Sequence, residues 1–310
     1  MTLRAIVLGA AAGGGFPQWN SAGPGCLRAR AGDPLAKPRT QASMAVSADG
    51  ERWLVLNAAP DIAAQIAATP ALHPRPAPGR LRHSPIAAVA ITGAEVDTIA
   101  GLLTLRERHS FGLYAAPKGL AALAMNPIFN VLDPGLVPRR ALPLDAPLEM
   151  ADGAGTPLGL TLEAFAVPGK VALFQEQSGA DPGRADDGDC IGLCVTASGS
   201  ADALYFIPGC AELTPALRDR LRGAACLLFD GTLWRDDEMI LAGAGQKTGL
   251  RMGHMSVRDT MAAFTDIPLR RRVFIHINNT NPILLEDSAE RAMVQAAGWD
   301  VAEDGMEISL

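Results

Sequence analysis

Asp61, Asp97, Asp230, His254 and His276 each follow an apolar strand or open a helix, and they are the side chains whose types could do chemistry together. Carboxylates and imidazoles that converge on one sheet edge can hold a hard or borderline cation. His276 has the clearest placement: Val273, Phe274 and Ile275 run into it as a buried strand, and Asn278, Asn279, Thr280 and Asn281 break the run before Pro282. Ligands of open α/β sheets bind outside the carboxyl ends of the strands, so a histidine delivered there is a site candidate. The structural alternative is a strand-end histidine with an Asn-rich turn capping the next helix. Asp97 has a similar alternative as the cap of the helix it opens. Of the five histidines, His73 and His83 lie in proline-rich loops and His109 at a helix end, which makes them weaker candidates.

Other chemistries find less support. No serine sits in a Gly-x-Ser-x-Gly elbow, and no Cys/His pair is marked out for thiol catalysis. The five cysteines, Cys26, Cys190, Cys194, Cys210 and Cys226, are an odd number scattered over the chain and do not read as a disulfide framework. The last four can be drawn as a zinc site, but buried core thiols are the simpler reading. Gly9 to Gly15 invites a dinucleotide reading, yet Phe16 and Pro17 stand where that fingerprint needs a helix to open. Asp186, Asp187 and Asp189 could bind a cation, or simply solvate the polar loop expected from Gln175 to Asp189.

The elements that must position these residues follow from hydrophobic patterning. Strands are expected at Leu3–Leu8, at Ser43–Val46 and Arg52–Leu56 as a hairpin across Asp49-Gly50, and at Ala87–Thr92, Phe111–Ala115 and Leu160–Val167. Later strands are expected at Ile191–Thr196, Ala203–Ile207 and Cys226–Phe229, the last ending at Asp230. Helices are expected at Ile62–Ala68, from Asp97 through Arg106, at Lys118–Met125, after Thr214-Pro215, at Glu238–Leu241, after the Ser256–Asp259 capping box, and at Ser288–Ala297. Ser21–Pro38 and Leu136–Leu148 read as loops, and Asp304-Gly305 as a hairpin turn. The pattern favours one mixed α/β domain of two packed sheets with helices outside.

Charge and hydropathy narrow the partners. With 27 basic against 33 acidic residues, a net charge of −6 and no long basic run, the chain is not expected to bind a phosphate backbone, which draws on clustered Lys and Arg. The best candidate membrane span, Ile86–Leu105, carries Glu95 and Asp97 and is rejected. The apolar start of the chain imitates a signal peptide but is short and runs into Gly13-Gly14-Gly15, so it reads as a first strand and loop.

Eight segments taken together carry a resemblance along essentially the whole chain. They are Gly13–Asn20 (GGGFPQWN), Arg39–Gln41 (RTQ), Asn57–Asp61 (NAAPD), Gly101–Glu107 (GLLTLRE), Asp230–Leu233 (DGTL), Lys247–Gly249 (KTG), Met252–His254 (MGH) and His276–Pro282 (HINNTNP). With these the chain resembles the pyrroloquinoline quinone (PQQ) biosynthesis protein B family of the metallo-β-lactamase-like superfamily. The resemblance implies an αββα sandwich, two mixed sheets with helices outside, over residues 1–310 as a single domain with a metal cleft along one edge. Onto the superfamily's His-x-His-x-Asp-His pattern the chain places Gly93, Glu95, Asp97 and Thr98, so that only the aspartate is kept. Asp230 falls at the bridging-carboxylate position, His276 at the last histidine position, and His254 at a histidine that related nucleases keep near the scissile group. No residue near Val167–Lys170 fills the remaining histidine position. Family members often carry Cys-x-Cys-x-x-Cys after Trp-Asn; Ser21, Gly23 and Cys26 stand here instead, so a structural zinc is expected to be absent.

For function, the resemblance implies an iron-dependent, O2-using hydroxylation of a tyrosine derived from the PQQ precursor peptide. Asp97, Asp230 and His276 would bind Fe(II), with His254 a ligand or proton donor. The implied partners are a small peptide or PQQ-like molecule and other PQQ biosynthesis proteins, in the cytoplasm, without nucleic acid or membrane insertion; a homodimer is compatible with this. A metal-poor carrier for PQQ or its precursor is the alternative, favoured by Thr98, Gly93 and Ser21. A metal-dependent hydrolase is the third reading, weakened by the altered ligand positions.

Overall fold

Short apolar runs rich in Val, Ile and Leu become the strands of two facing sheets. The computed structural model describes residues 2–76, 79, 81–175 and 188–310. The first sheet takes β1 (Arg4–Gly9), β2 (Ser43–Ser47), β3 (Trp53–Leu56), β4 (Ile86–Ile91), β5 (Gly112–Ala115) and β6 (Arg139–Ala141). The second takes β7 (Pro147–Ala151), β8 (Pro157–Ala166), β9 (Ile191–Ala197), β10 (Ala203–Ile207), β11 (Cys226–Asp230), β12 (Arg272–Ile275) and β13 (Asp300–Val301), after which β14 (Glu307–Ser309) returns to the edge of the first beside β1. Each sheet is seven-stranded and mixed. In the first, β3 to β6 run parallel, and in the second, β10 to β13 do.

Three apolar layers hold the sandwich. Val7, Met44, Leu56, Leu160, Leu193, Phe206, Leu228 and Ile275 fill the space between the sheets. On the outer face of the first sheet, Trp53, Val55 and Val89 pack against Ile62 of α2 (Ile62–Ala68) and Leu123 of α4 (Pro117–Met125). On the outer face of the second, Phe229 and Phe274 pack against Leu217 and Leu221 of α5 (Pro215–Leu221), Val257 of α7 (Val257–Ala263) and Val294 of α8 (Ala289–Ala296). Phe274 stacks on Trp299 with ring centroids 4.1 Å apart. Alternation along β8, whose even-numbered residues from Leu158 to Ala164 are buried, is what allows one face to meet the core while the other meets solvent.

The sheets are tied together at one end. Ile277, just past β12, pairs with the chain just past β1: its N–H donates to Ala10 O at 2.9 Å, and Ala12 N donates to Ile277 O at 2.9 Å. The parallel strand ends of both sheets therefore meet around the glycine-rich loop.

Several sequence expectations are corrected. Ser21–Pro38 contains a helix, α1 (Pro24–Arg30), whose Cys26 and Ala29 are buried. Leu136–Leu148 contains β6 and the start of β7. Asp304-Gly305 does not turn a hairpin, because β13 and β14 belong to different sheets; Asp304 instead accepts from Ala10 N, Thr40 N and Thr40 Oγ1, pinning this crossover to the first sheet. The helix expected from Asp97 is one α-turn, α3 (Val96–Ile99), continued as a 3-10 helix through Arg106. Of the loop expected at Gln175–Asp189, residues 176–187, and with them Asp186 and Asp187, lie outside the described residues. Asp189 pairs with Lys118 at 2.8 Å. Among the described residues, no helix is long and apolar enough to cross a membrane.

Candidate functional site

Asp230 closes β11 and is fully buried. Gly231 follows in a space too tight for a side chain, since a Cβ there would stand 2.9 Å from the Cβ of Phe274. The chain then folds back so that Thr232 donates to Asp230 Oδ1 twice, from its N–H at 3.0 Å and its hydroxyl at 2.6 Å. The other oxygen, Oδ2, accepts from Cys210 N at 2.9 Å and lies 2.8 Å from His254 Nδ1.

His276 leaves β12 in the left-handed region, at φ 58°, a conformation that costs a non-glycine residue energy. It is held there by the backbone pairing of Ile277, with Thr232 Oγ1 packed 3.0 Å from its carbonyl oxygen. The turn sets His276 Nδ1 2.9 Å from Thr232 Oγ1 and Nε2 2.9 Å from Asp97 Oδ2. His254 follows Gly253, which takes a φ of 85° and lies so close to Lys170 N that a Cβ would approach it to 3.1 Å. The two imidazoles stack with centroids 5.3 Å apart and planes inclined by 21°.

Asp97 does not cap its helix. Glu95 is the residue before α3, no side chain caps the turn, and the Asp97 carboxylate reaches across to His276. Burial by itself would raise the Asp97 pKa, but the hydrogen bond and positive charge of His276, aided by the His254 charge, bring it below the usual carboxylate value. Burial would likewise lower His276, and the bond to Asp97 with the charges of Asp97, Asp230 and Glu95 raises it instead. The two act as an ion pair in the metal-free protein.

Asp97, Thr232, His254 and His276 line a cavity of about 490 Å³ whose apolar walls include Met239 and Met252. Gly13 faces Asp97: a Cβ there would lie 3.7 Å from Oδ2, so its absence leaves room beside the carboxylate. Gln41 steadies this loop, accepting from Gly14 N at 3.1 Å through Oε1.

Of the sequence candidates, the fold thus gathers Asp97, Asp230, His254 and His276, and Asp230, His254 and His276 bring ligand-type atoms within 4.8 Å of one another. Asp61 is not among them; its Oδ2 accepts from Gln41 N and Gln41 Nε2, both at 2.9 Å. Thr98 turns its hydroxyl to Gly93 O and Glu95 O, at 3.1 and 2.8 Å. Lys170 pairs with Glu95 at 3.2 Å on the cavity wall. His73 and His109 meet the backbone carbonyls of Ala67 and Ile86, and His83 meets Arg75 N, all away from the cluster. The four-cysteine zinc site does not assemble: Cys226 lies between the sheets, whereas Cys194 and Cys210 lie on the outer face of the second. Cys26 is buried with its thiol 3.6 Å from Asn279 Oδ1. Sequence reasoning passed over Thr232, the contact point of both imidazoles; its position two residues after a strand-end aspartate was the available signal.

Comparison with known proteins agrees with this architecture. The family model for the β-lactamase superfamily domain matches residues 52–277. Coenzyme PQQ synthesis protein B of Gluconacetobacter diazotrophicus is 60% identical over 308 residues, 98% of each chain, and that of Gluconobacter oxydans is 54% identical over 308 residues, again 98% of each. Among solved structures, Zn(2+)-bound PqqB from Methylobacterium extorquens superposes with a TM-score of 0.92 at 48% identity, covering 99% of this chain and 100% of that one. A diphosphatase of the PhnP family, at TM-score 0.68 and 18% identity over 100% of this chain and 98% of its own, shares the fold alone.

Proposed function

The chain belongs to the coenzyme PQQ synthesis protein B family within the β-lactamase superfamily, and from that premise we propose that it is an iron-dependent oxygenase hydroxylating a tyrosine of the peptide-derived PQQ precursor. The observation that carries the reading is the meeting of Asp97 and His276 across 2.9 Å on the wall of a cavity of about 490 Å³, with His254 beside them. A half-buried carboxylate facing an imidazole suits a divalent cation, and the set of non-haem Fe(II) oxygenases is two imidazoles and one carboxylate with open positions. Asp97 and His276 would hold the ion; Asp230, the third ligand expected from the sequence, is buried behind them with both oxygens hydrogen-bonded. Bound Fe(II) supplies the one-electron chemistry that O2 needs.

The chain's own residues do the rest. Met239 and Met252 offer polarizable apolar walls for a phenol ring. The Gly13-Gly14 turn, held by Gln41, lets substrate backbone approach closely. His254, at the cavity wall with Nδ1 against Asp230, is placed to exchange a proton with the phenol. The five cysteines, all free thiols, suit a reducing compartment, and the cytoplasm belongs to this reading.

Anaerobic titration with Fe(II), followed by O2 and a Glu-Tyr peptide, tests the proposal. Stoichiometric iron and oxygenated tyrosine are expected; absence of both ends it. A second reading, a metal-free carrier of PQQ or its precursor, draws on the Thr98 hydroxyl being turned into its own loop rather than toward the cavity centre. Calorimetry with PQQ in the presence of a chelator separates the two, because a carrier binds without metal.

A further inference from the structure

We propose that Asp230 is not a metal ligand but the anchor of a hydrogen-bonded clamp, completed by Thr232, that fixes His254 and His276 with Nδ1 protonated and Nε2 presented to the cavity. Asp230 is 0% exposed, and Thr232, His254 and His276 stand between it and the cavity. An ionised carboxylate offers about four lone-pair sites. In Asp230 they are taken by Thr232 N and Thr232 Oγ1 on Oδ1, and by Cys210 N and His254 Nδ1 on Oδ2. None is left to turn toward an ion.

The hydroxyl of Thr232 decides the rest. It has one proton and two lone pairs. Two acceptors lie within its reach, the Asp230 anion at 2.6 Å and the neutral carbonyl of His276 at 3.0 Å, and the proton goes to the shorter, charged contact. The lone pairs face Nδ1 of His276 at 2.9 Å and Nδ1 of His254 at 3.1 Å, and both nitrogens must therefore donate. His254 shares its Nδ1 proton between Thr232 and Asp230 Oδ2. Two stacked rings with their Nδ1 edges on one hydroxyl turn their Nε2 edges the other way, and Nε2 of His276 indeed meets Asp97 at the cavity wall. The grouping of Asp230, His254 and His276 within 4.8 Å is what such a clamp produces. A carboxylate behind a ligating imidazole fixes its tautomer and raises its basicity.

The clamp rests on the metal-site reading only for what the exposed Nε2 atoms bind, and its test has two arms. In metal-free protein labelled with 15N-histidine, at a pH where His254 is neutral, long-range proton–nitrogen spectra should place its proton on Nδ1. In Zn(2+)-loaded protein His276 should also carry its proton on Nδ1. Thr232→Ser should keep both states; Thr232→Val, which removes the shared acceptor but leaves Asp230 bonded to His254, should shift the Nδ1–H signals of both rings without moving the His254 proton off Nδ1; a wild-type His254 protonated on Nε2, or unchanged spectra in Thr232→Val, overturns the clamp. In the second arm, Asp230→Asn should still bind one Zn(2+), about 10–100-fold more weakly, whereas Asp97→Asn loses stoichiometric binding. A folded Asp230→Asn that loses the ion as completely as Asp97→Asn makes Asp230 a ligand and overturns the proposal. If Asp230→Asn does not fold, the Thr232→Val spectra decide alone. Undiminished Zn(2+) binding by Asp97→Asn would defeat the metal-site reading instead, while the His254 spectrum still decides the clamp.

Discussion

Nε2 of His276 and Oδ2 of Asp97 lie 2.9 Å apart although the residues are 179 positions apart in the chain. One follows the last residue of β12 in the second sheet, the other sits in the helical turn after β4 in the first. The contact therefore exists only when the sandwich is closed, and it couples the site to the stability of the fold.

That coupling predicts a pH window. Burial disfavours charge on both groups, yet their mutual bond and attraction leave His276 raised from 6.5 and Asp97 lowered from 3.8. A raised histidine stabilises the fold fully below its unfolded value and loses this as pH rises through the folded one; a lowered aspartate stabilises above its unfolded value and loses this as pH falls. In metal-free protein the pair should thus contribute most between about pH 4 and 6.5. The difference in Tm between wild type and Asp97→Asn should peak in that window and shrink at higher pH. A difference that stays constant from acid to alkaline pH would show that the pair carries no linked charge.

Metal removal should act through the same residues. An ion present at 100 times its Kd stabilises the folded state by about 2.7 kcal/mol. EDTA should therefore lower the Tm of iron- or zinc-loaded wild type. His276→Ala, stripped of the Nε2 donor, should copurify with far less than one equivalent of metal and show no EDTA effect.

Cys190 lies on the cavity wall and should be slow to alkylate. Burial pushes its thiol up to about 11, and its Sγ donates to Lys170 O at 3.0 Å. Only the thiolate reacts. Iodoacetamide labelling of Cys190, followed by peptide mass spectrometry, should rise about tenfold per pH unit from pH 7 to 10. Rapid labelling at pH 7 would place the thiol in a different setting.

Gly101 should resist substitution for steric reasons. A Cβ there would stand 2.2 Å from Ala59 O and 2.7 Å from Ala58 O, both backbone atoms that cannot step aside. Gly101→Ala should cost roughly 3 kcal/mol, at the upper end for single substitutions, read as a lowered urea midpoint. Gly32→Ala, a control with nothing within 4 Å of its Cβ but a positive φ of 76°, should cost less.

Much of the scaffold was legible because its signals are local. The expected helix at Ile62–Ala68 has those bounds, and the capping Thr214 and Ser256 accept from Leu217 N and Asp259 N. The missed elements lacked such signals. β6 is three residues, Arg139–Ala141, none of them buried, and its pairing partner β5 supplies the order that its own pattern does not. α1 opens on Pro24-Gly25, which reads as a loop, and is held by packing: a Cβ on Gly25 would touch Phe16 and Leu285.

The division at the site follows the same physics. Sequence alone determined that Asp230 and His276 end apolar strands, because strand length and burial are written in neighbouring residues. Only the tertiary structure decided that Asp97 faces His276 rather than capping its own helix, that Asp61 serves Gln41, and that the Thr232 hydroxyl holds both imidazoles. Hydrogen bonds between distant residues depend on how two sheets are laid face to face, and no run of adjacent side chains records that.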